Sequence, residues 1–264
     1  MTLRPFRSAS GVVIIVVTFL TSPASAATGS GSALPQLSGE IIGLDGAPMA
    51  LVTAGRFIFG DGSYNNPERR IYLDSFYMDK FEVTLARYAK FLRATSREYP
   101  FTLTTTDLSL HGDRPVVNVD WHDAQAYCHW AGKYLPDEAQ WEKAARGADG
   151  RAYPWGNDSP SRSLASFDWD GKRSWQGYDT LSLVGSYEKG KSPYGIYDMA
   201  GNVWEWVAEW TANPANKENP KQNLRKVVKG GSWANDESSL PSGYWYKTFH
   251  SVRANSIGFR CAQG

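Results

Sequence analysis

The stretch SPYGIYDMAGNVWEW, residues 192–206, is the part of this 264-residue chain that says most about its fold. It places two carboxylates, Asp198 and Glu205, on either side of a Gly–Asn pair that leads into a Trp–Glu–Trp run. Five further strings accompany it in a fixed order: FYMDKFEVTLARYAKFL (76–92), RPVVNVDWHDAQAYCHWAGKYLPDEAQWEKAARG (114–147), YPWGN (153–157), KGGSW (229–233) and IGFRC (257–261). The sequence has no internal repeat, and the strings follow one another along the chain, so they indicate one continuous domain.

The string at residues 76–92 predicts an amphipathic helix. Thr84 is a suitable N-cap, because its hydroxyl oxygen can accept from a free backbone N–H of the first turn. Leu85, Tyr88 and Leu92 then recur at helical spacing, with Phe91 beside them. We expect this helix to bury its apolar face.

The string at residues 114–147 predicts two helices. The first begins at the N-cap Asp120 and ends near Gly132, a residue suited to the left-handed conformation after a helix. The second begins at Asp137, where Gln140 completes a capping box, and ends at Gly147.

Short strands are predicted before these helices. The runs GRFIFGDG (55–62) and RRIYLDSFYMDKFEVT (69–84) are rich in aromatic and β-branched residues and are separated by a Gly/Asn/Pro turn. Residues 151–190, by contrast, have no sustained periodicity. We therefore expect an irregular segment there, held by side chains or an ion.

The N-terminus is typical of an exported protein. Arg4 and Arg7 precede an apolar run and a small-residue site at residues 24–26, so we interpret 1–26 as a signal peptide. A retained membrane anchor is the alternative, but the apolar run falls well short of the roughly 20 residues needed to span a bilayer. We expect a flexible leader over 27–50 and a domain over 51–264, with no membrane span after cleavage.

Charge excludes two classes of partner. Lys and Arg total 28 against 27 Asp and Glu, and no basic run occurs. The composition therefore gives no support to nucleic-acid binding or to attraction by an anionic membrane.

The cysteine count fits an oxidising compartment. Cys128 and Cys261 are the only cysteines in the sequence, and an even count in an exported chain favours a disulfide. Closing so long a loop would contribute about 5 kcal/mol in the chain-entropy account. Two free thiols or a metal-binding pair are the alternatives.

Taken together, the six strings resemble the sulfatase-modifying factor superfamily, which includes the formylglycine-generating enzymes. The resemblance covers roughly residues 55–262. It implies an α+β fold with a C-type-lectin-like core and little regular secondary structure. It also implies that Cys128 and Cys261 are the family's structural disulfide.

The resemblance implies a structural calcium ion in the 192–206 stretch. Its ligands would be Asp198 and Glu205 through their carboxylates, and Gly201 and Val203 through their backbone carbonyls. These oxygens suit calcium, which prefers carboxylates and carbonyls on a flexible backbone. The alternative is that Asp198 only caps a turn and Glu205 is a solvated strand residue.

A second family calcium site would fall near Ser166 and Gln176. The family has an Asn and an Asp there, whereas these two side chains carry no charge. Asp168 and Asp170 lie nearby and could substitute. We expect this second site to be poorly formed.

One departure from the family concerns its chemistry. Active formylglycine-generating enzymes carry two more cysteines between KGGSW and GFRC, where they bind copper. Here the segment is ANDESSLPSGYWYKTFHSVRANS, with Asn235 near the first cysteine position and no thiolate for a soft ion. We therefore expect no copper and no formylglycine formation.

The same segment supplies the residues expected in the family's active-site groove. Asn235, Glu237, Tyr246 and His250 are the catalytic candidates, because a carboxylate and an imidazole among aromatics can transfer protons when burial tunes their pKa values. Four neighbours complete the groove segment: Trp233, Asp236, Tyr244 and Arg253. Structural or surface roles are the alternative for each, and three other histidines, His111, His122 and His129, form no evident ligand cluster.

Two functions remain open. The family includes exported relatives without these cysteines that act in siderophore chromophore maturation, so the first is oxidative or other maturation of a peptide or peptide-derived product. The second is a non-catalytic, calcium-stabilised, lectin-like binding or assembly factor, since the fold alone does not decide function. Whether the chain is an enzyme stays open. Under either function we expect a periplasmic or secreted protein that meets a peptide, a protein or a peptide-derived small molecule.

Overall fold

A computed structural model describes residues 39–63, 66–98, 106–208 and 225–264. Four α-helices fall in these ranges: α1 Leu85–Thr95, α2 Leu108–His111, α3 Trp121–Trp130 and α4 Glu138–Arg146. Ten strands accompany them: β1 Glu40–Ile42, β2 Pro48–Val52, β3 Gly55–Phe59, β4 Arg69–Leu73, β5 Phe76–Asp79, β6 Trp204–Trp206, β7 Arg225–Lys229, β8 Trp245–Phe249, β9 Ile257–Gly258 and β10 Ala262–Gln263. Helices and strands are both short, and the α+β class expected from the sequence is confirmed.

The strands form three sheets. One has the order β1–β2–β5–β10, so the C-terminal strand joins strands from the beginning of the domain. The strands β3 and β4 pair as an antiparallel hairpin. The third sheet has the order β8–β7–β6–β9, in which only the β6–β9 pair is parallel.

The predicted helix starts are confirmed. Thr84 Oγ1 accepts from the backbone N–H of Arg87, although at a long 3.4 Å. Asp120 and Asp137 each form a capping box with the residue three positions on, because side chain and backbone bond reciprocally at both sites. Local chemistry therefore fixed all three helix starts.

The signal peptide expected at 1–26 and residues 27–38 of the expected leader lie outside the described residues, but the structure corrects the leader expected over 27–50 at its residues 39–50. Glu40–Ile42 and Pro48–Val52 are strands that pair with each other, and the second also pairs with β5. Met49 is fully buried there. The prediction was wrong because two short strands around a Gly-rich turn do not produce a detectable periodicity.

Aromatic side chains form the main core around the disulfide. Tyr88 and Phe91 of α1 contact Tyr127 of α3, and both Tyr88 and Tyr127 contact Phe259. Next to them Cys128 is bonded to Cys261, with Cα atoms 5.6 Å apart. The bridge therefore ties α3 to the C-terminal strand region. Among the described residues, no helix has both the length and the apolar character needed to cross a membrane.

Candidate functional site

The 192–206 stretch folds into a tight loop before β6. Asp198 and Asn202 adopt left-handed φ values of 57° and 60°, and Gly201 has φ 81°. A Cβ at Gly201 would also collide with the carbonyl oxygen of Ser166, so this position requires glycine. The loop is thereby held directly against the irregular 161–190 segment.

Three carboxylates gather around one guanidinium beneath this loop. Arg260 donates through Nε to Glu205 Oε2 and through Nη2 to Glu205 Oε1, at 2.8 and 2.7 Å. Trp141 Nε1 also donates to Glu205 Oε2, at 2.8 Å. The carboxylates of Glu82 and Asp198 are buried nearby and repel each other electrostatically. Glu205 is thus a buried ion-pair residue and not a solvated strand residue.

The other two carboxylates are incompletely paired. Asp198 Oδ2 accepts from the backbone N–H of Gly185 at 2.6 Å and Glu82 Oε2 accepts from Asn202 Nδ2 at 2.9 Å. Their second oxygens, Asp198 Oδ1 and Glu82 Oε1, are buried without a hydrogen-bond partner among the described residues. Such an atom is costly unless a proton or a cation reaches it.

The pKa values of Asp198 and Glu82 also indicate that these carboxylates lack positive charge. Burial raises the pKa of Asp198 to about 6. Burial, followed by the charges of Asp198 and Glu205, raises the pKa of Glu82 well above its ordinary value. When all three carboxylates are ionised, one guanidinium leaves two negative charges in excess, which is the charge of one divalent cation.

These residues fit the expected calcium ion in part. Asp198 offers a free oxygen, and Gly201 and Val203 lie on the same loop, where their carbonyls can complete an oxygen set. Glu205 would have to share its oxygens with Arg260. In the described ranges no three His, Cys, Asp or Glu side chains converge as ligands. Calcium here would therefore depend on backbone carbonyls.

The family's second calcium site, which would fall near Ser166 and Gln176, has a different arrangement in this chain. Arg173 donates through Nη1 to Ser166 Oγ and to the Phe167 carbonyl, at 3.0 and 3.1 Å. Its Nη2 donates to the Thr180 carbonyl at 3.1 Å. Gln176 instead donates to Ser174 Oγ. These residues do not fit a second calcium ion, because a guanidinium already bonds to the oxygens that would hold it.

The two aspartates considered as substitutes are also engaged elsewhere. Asp168 Oδ1 accepts from the backbone N–H groups of Lys172 and Arg173. Asp170 Oδ2 lies 3.7 Å from Arg162 Nη2. Asp168 thus holds the backbone of its own turn, and Asp170 lies closest to a cation of the same segment.

Asn235 is held in a fixed orientation by two neighbouring side chains. Its Oδ1 accepts from Trp204 Nε1 at 2.9 Å and from Ser232 Oγ at 2.6 Å. An indole N–H can only donate, so the amide oxygen must face Trp204 and the Nδ2 group must face away from it. The Nδ2 donors of Asn235 are thus not used by Trp204 or Ser232.

Aromatic rings lie next to this amide, and we call the surface that they form with Asn235 the groove. The ring centroids of Tyr244 and Tyr246 lie 6.1 and 6.3 Å from that of Trp204. Tyr246 is 55% exposed, whereas Trp204 is only 7% exposed. The groove therefore combines a nearly buried ring with accessible tyrosines, which suits planar or apolar groups.

The remaining catalytic candidates are not assembled with Asn235. His250 Nδ1 lies 3.2 Å from Nε2 of His122, one of the three histidines for which no ligand cluster was expected. Arg253 pairs with Asp120 and Asp123 at the start of α3. Glu237 is exposed in a short 3₁₀ turn. The other groove-segment positions are structural: Trp233 is buried and Asp236 caps the turn before Ser238.

The disulfide removes thiolate chemistry from this groove. Cys128 and Cys261 are both fully buried and bonded to each other. The sequence contains no other cysteine. No thiolate is therefore available to bind copper(I) beside Asn235.

A model described as the sulfatase-modifying factor enzyme 1-like domain matches residues 43–264. The chain belongs to this family. The mouse formylglycine-generating enzyme is 30% identical over 259 residues, which cover 74% of this chain and 68% of the relative. A bovine relative named inactive C-alpha-formylglycine-generating enzyme 2 is 37% identical over 162 residues, which cover 57% of this chain and half of the relative.

The fold of the family is supported by a solved structure. PvdO from Pseudomonas aeruginosa has a TM-score of 0.64 and 23% identity, over 83% of this chain and 95% of that one. Because relatives named as enzymes and as inactive proteins both match, membership of the sulfatase-modifying factor family does not decide whether the chain catalyses a reaction.

Sequence reasoning missed three charged residues that organise the site: Glu82, Arg173 and Arg260. Each acts on residues far away in the chain or in an irregular segment, where spacing carries no information. Glu82 does stand inside one of the family strings and Arg260 inside another. The presence of a charged residue inside a family string was the one signal that the sequence offered for Glu82 and Arg260.

Proposed function

We propose that this protein is an exported, formylglycine-generating-enzyme-like factor in the maturation of a peptide or peptide-derived product, such as a siderophore. It works in the periplasm or outside the cell, and without a copper-binding cysteine pair. The groove binds its substrate through the Asn235 amide and the Trp204, Tyr244 and Tyr246 rings. The fixed amide of Asn235 is the observation that carries this proposal.

The groove chemistry supports a peptide-like ligand. A free amide N–H is a donor for a peptide carbonyl, and a site with such a donor rejects molecules that leave it unpaired. Neighbouring aromatic faces stack on planar groups at a low cost in conformational entropy. The same features also suit a heterocycle made from a peptide.

A calcium ion at Asp198 is part of the proposal and has a structural role. It would supply positive charge to the buried carboxylates and keep the loop before β6 in place, next to Trp204. The residues of this chain then do the rest: Ser232 and Trp204 orient Asn235, and the disulfide holds α3 against the C-terminus.

The second candidate is a non-catalytic, calcium-stabilised binding or assembly factor. One observation favours it: the ring of His250 lies against His122, with Nδ1 3.2 Å from Nε2, and Glu237 is exposed in its 3₁₀ turn. No proton-transfer pair is therefore assembled beside Asn235 among the described residues. Such a groove binds a ligand without requiring a reaction.

An experiment in the producing cells separates the two candidates. A deletion strain is complemented with the wild-type chain, with Asn235→Leu, or with Tyr72→Ala as a control for loss of an exposed tyrosine on β4. Peptide-derived products are then compared by mass spectrometry. Maturation predicts a precursor of altered mass in the deletion and Asn235→Leu strains only. A product of unchanged mass but altered amount or location would favour the binding factor.

A further inference from the structure

A cavity opens beside the groove. It has a volume of about 460 Å³ and lies between the 161–173 segment and Tyr187. Its wall is joined to the groove, because the backbone N–H of Asp168 donates to the Asn235 carbonyl at 2.8 Å. A volume of this size suits a small organic molecule or a few residues of a peptide. We call this cavity the loop pocket.

The loop pocket carries an excess of positive charge. Arg162, Lys172 and Arg173 line it together with one acid, Asp170. Arg162 lies 3.7 Å from that acid and is 72% exposed, so the pair is loose. Two positive charges therefore remain uncompensated by the lining residues.

Arg173 is the best-placed of these cations. All the acceptors of its guanidinium are neutral: one hydroxyl and two carbonyl oxygens. These bonds fix the plane of the guanidinium but leave its charge without a carboxylate among the described residues. A guanidinium has five N–H donors in a rigid fork, which matches carboxylate and phosphate geometry. Arg173 is thus held in a fixed orientation, and among the described residues no carboxylate neutralises its charge.

An aromatic face stands beside these charges. Trp169 lines the pocket and is 52% exposed, and its ring packs edge-to-face on buried Phe167 with centroids 5.6 Å apart. Tyr187 is held on the other side by the hydroxyl of Ser182, at 3.1 Å. An anchored but open indole next to cations suits a ligand with both an anionic and a flat apolar part.

We propose that the loop pocket binds the anionic group of the molecule that enters the groove, a carboxylate or a phosphate, with a neighbouring apolar part on Trp169. Arg173 and Lys172 receive the anion. This specifies an acidic substrate class and in that respect rests on the proposed function. The binding itself can be measured without it.

The test uses three small aromatic probes with the purified full chain: phenylacetate, phenylphosphate and benzylamine. Binding is followed by ligand-observed NMR titration. We expect at least one of the anions to bind about tenfold or more tightly than benzylamine, and to weaken as ionic strength rises. The stronger of the two anions identifies the group as carboxylate or phosphate. Equal binding of benzylamine, or no binding of either anion, would overturn the proposal.

Matched variants locate the binding. Lys172→Glu should weaken the anion at least about tenfold, the scale of one charged hydrogen bond, and Trp169→Ala should weaken it as well. Lys90→Glu makes the same change of charge at an exposed position of α1 and should alter binding by less than about twofold. Equal effects of the two lysine variants would show a general field and no pocket.

Failure of the proposed function looks different. Probe binding is measured on the purified chain and does not depend on which product accumulates in cells. If the probes bind as expected while Asn235→Leu has no effect on any product in cells, the pocket stands and the maturation role fails.

Discussion

Two neighbouring segments of this protein differ in how their buried or closely packed charges are balanced. Around Asp198, carboxylates are buried in excess of their one guanidinium, so the segment lacks positive charge. Around Ser166, neutral oxygens surround the guanidinium of Arg173, so the segment carries its own cation. The backbone N–H of Asn202 joins them through the Ser166 carbonyl at 2.8 Å. The first segment has an excess of buried negative charge, and the second is held together by a guanidinium of its own.

The largest expected effect follows from removing the guanidinium of the acidic segment. Arg260→Met leaves three buried carboxylates without their cation, and breaking such a pair costs about 3–5 kcal/mol. Denaturant unfolding measures this loss. Arg253→Met removes an exposed partner of Asp120 and should cost no more than about 1 kcal/mol.

Arg260→Lys is the second measurement if the methionine variant does not fold. It keeps the charge but loses the fork, so it should retain part of the stability. Equal costs at positions 253 and 260 would mean that the carboxylate cluster is not held by charge.

The next largest effect concerns calcium. A ligand that binds only the folded state at about one hundred times its Kd stabilises by about 2.7 kcal/mol, so EDTA should lower the melting temperature and calcium should restore it. Asp198→Asn should abolish this response, while Asp170→Asn should not. Equilibrium dialysis should find one ion per chain. An unchanged melting temperature in EDTA would remove calcium from the account.

A smaller effect is expected at Arg173. Arg173→Met removes three hydrogen bonds to neutral oxygens that water can reach, so we expect a loss of about 1 kcal/mol in denaturant unfolding. Calcium should not restore the lost stability, since Ser166 and Gln176 bring no charge. Arg162→Met, which removes a loosely paired cation from the same segment, serves as the control. Recovery in calcium would show that the guanidinium and an ion are interchangeable at this place.

The last prediction concerns copper, for which we expect no effect. Both segments offer oxygen ligands, Asn235 offers an amide, and copper(I) prefers thiolates. A peptide with the CxPxR pattern, incubated with the protein, copper and oxygen, should therefore yield no aldehyde by mass spectrometry. Turnover that survives replacement of Cys128 and Cys261 would reveal another oxidative route in the groove.

Sequence reasoning performed well wherever the deciding interaction is local. The caps Thr84, Asp120 and Asp137 act within three residues, and each helix starts where its cap predicts. It failed at residues 40–52, where strands of three and five residues leave no period to detect. It grouped His250 with Asn235 as groove candidates because both share a segment, whereas the structure places the His250 ring against His122 of α3.

The sequence by itself determined the family, the helix caps, the disulfide partners and the lack of a second cysteine pair. All of these depend on residue identity or on spacing within one segment. Only the tertiary structure decided which charges meet: Glu82 with Asp198, Glu205 with Arg260, and Arg173 with the oxygens around Ser166. Those contacts join residues up to 116 positions apart, such as Glu82 and Asp198, or lie in backbone without regular structure. Electrostatic energy depends on distance and burial in space, and neither quantity can be read from the order of residues along the chain.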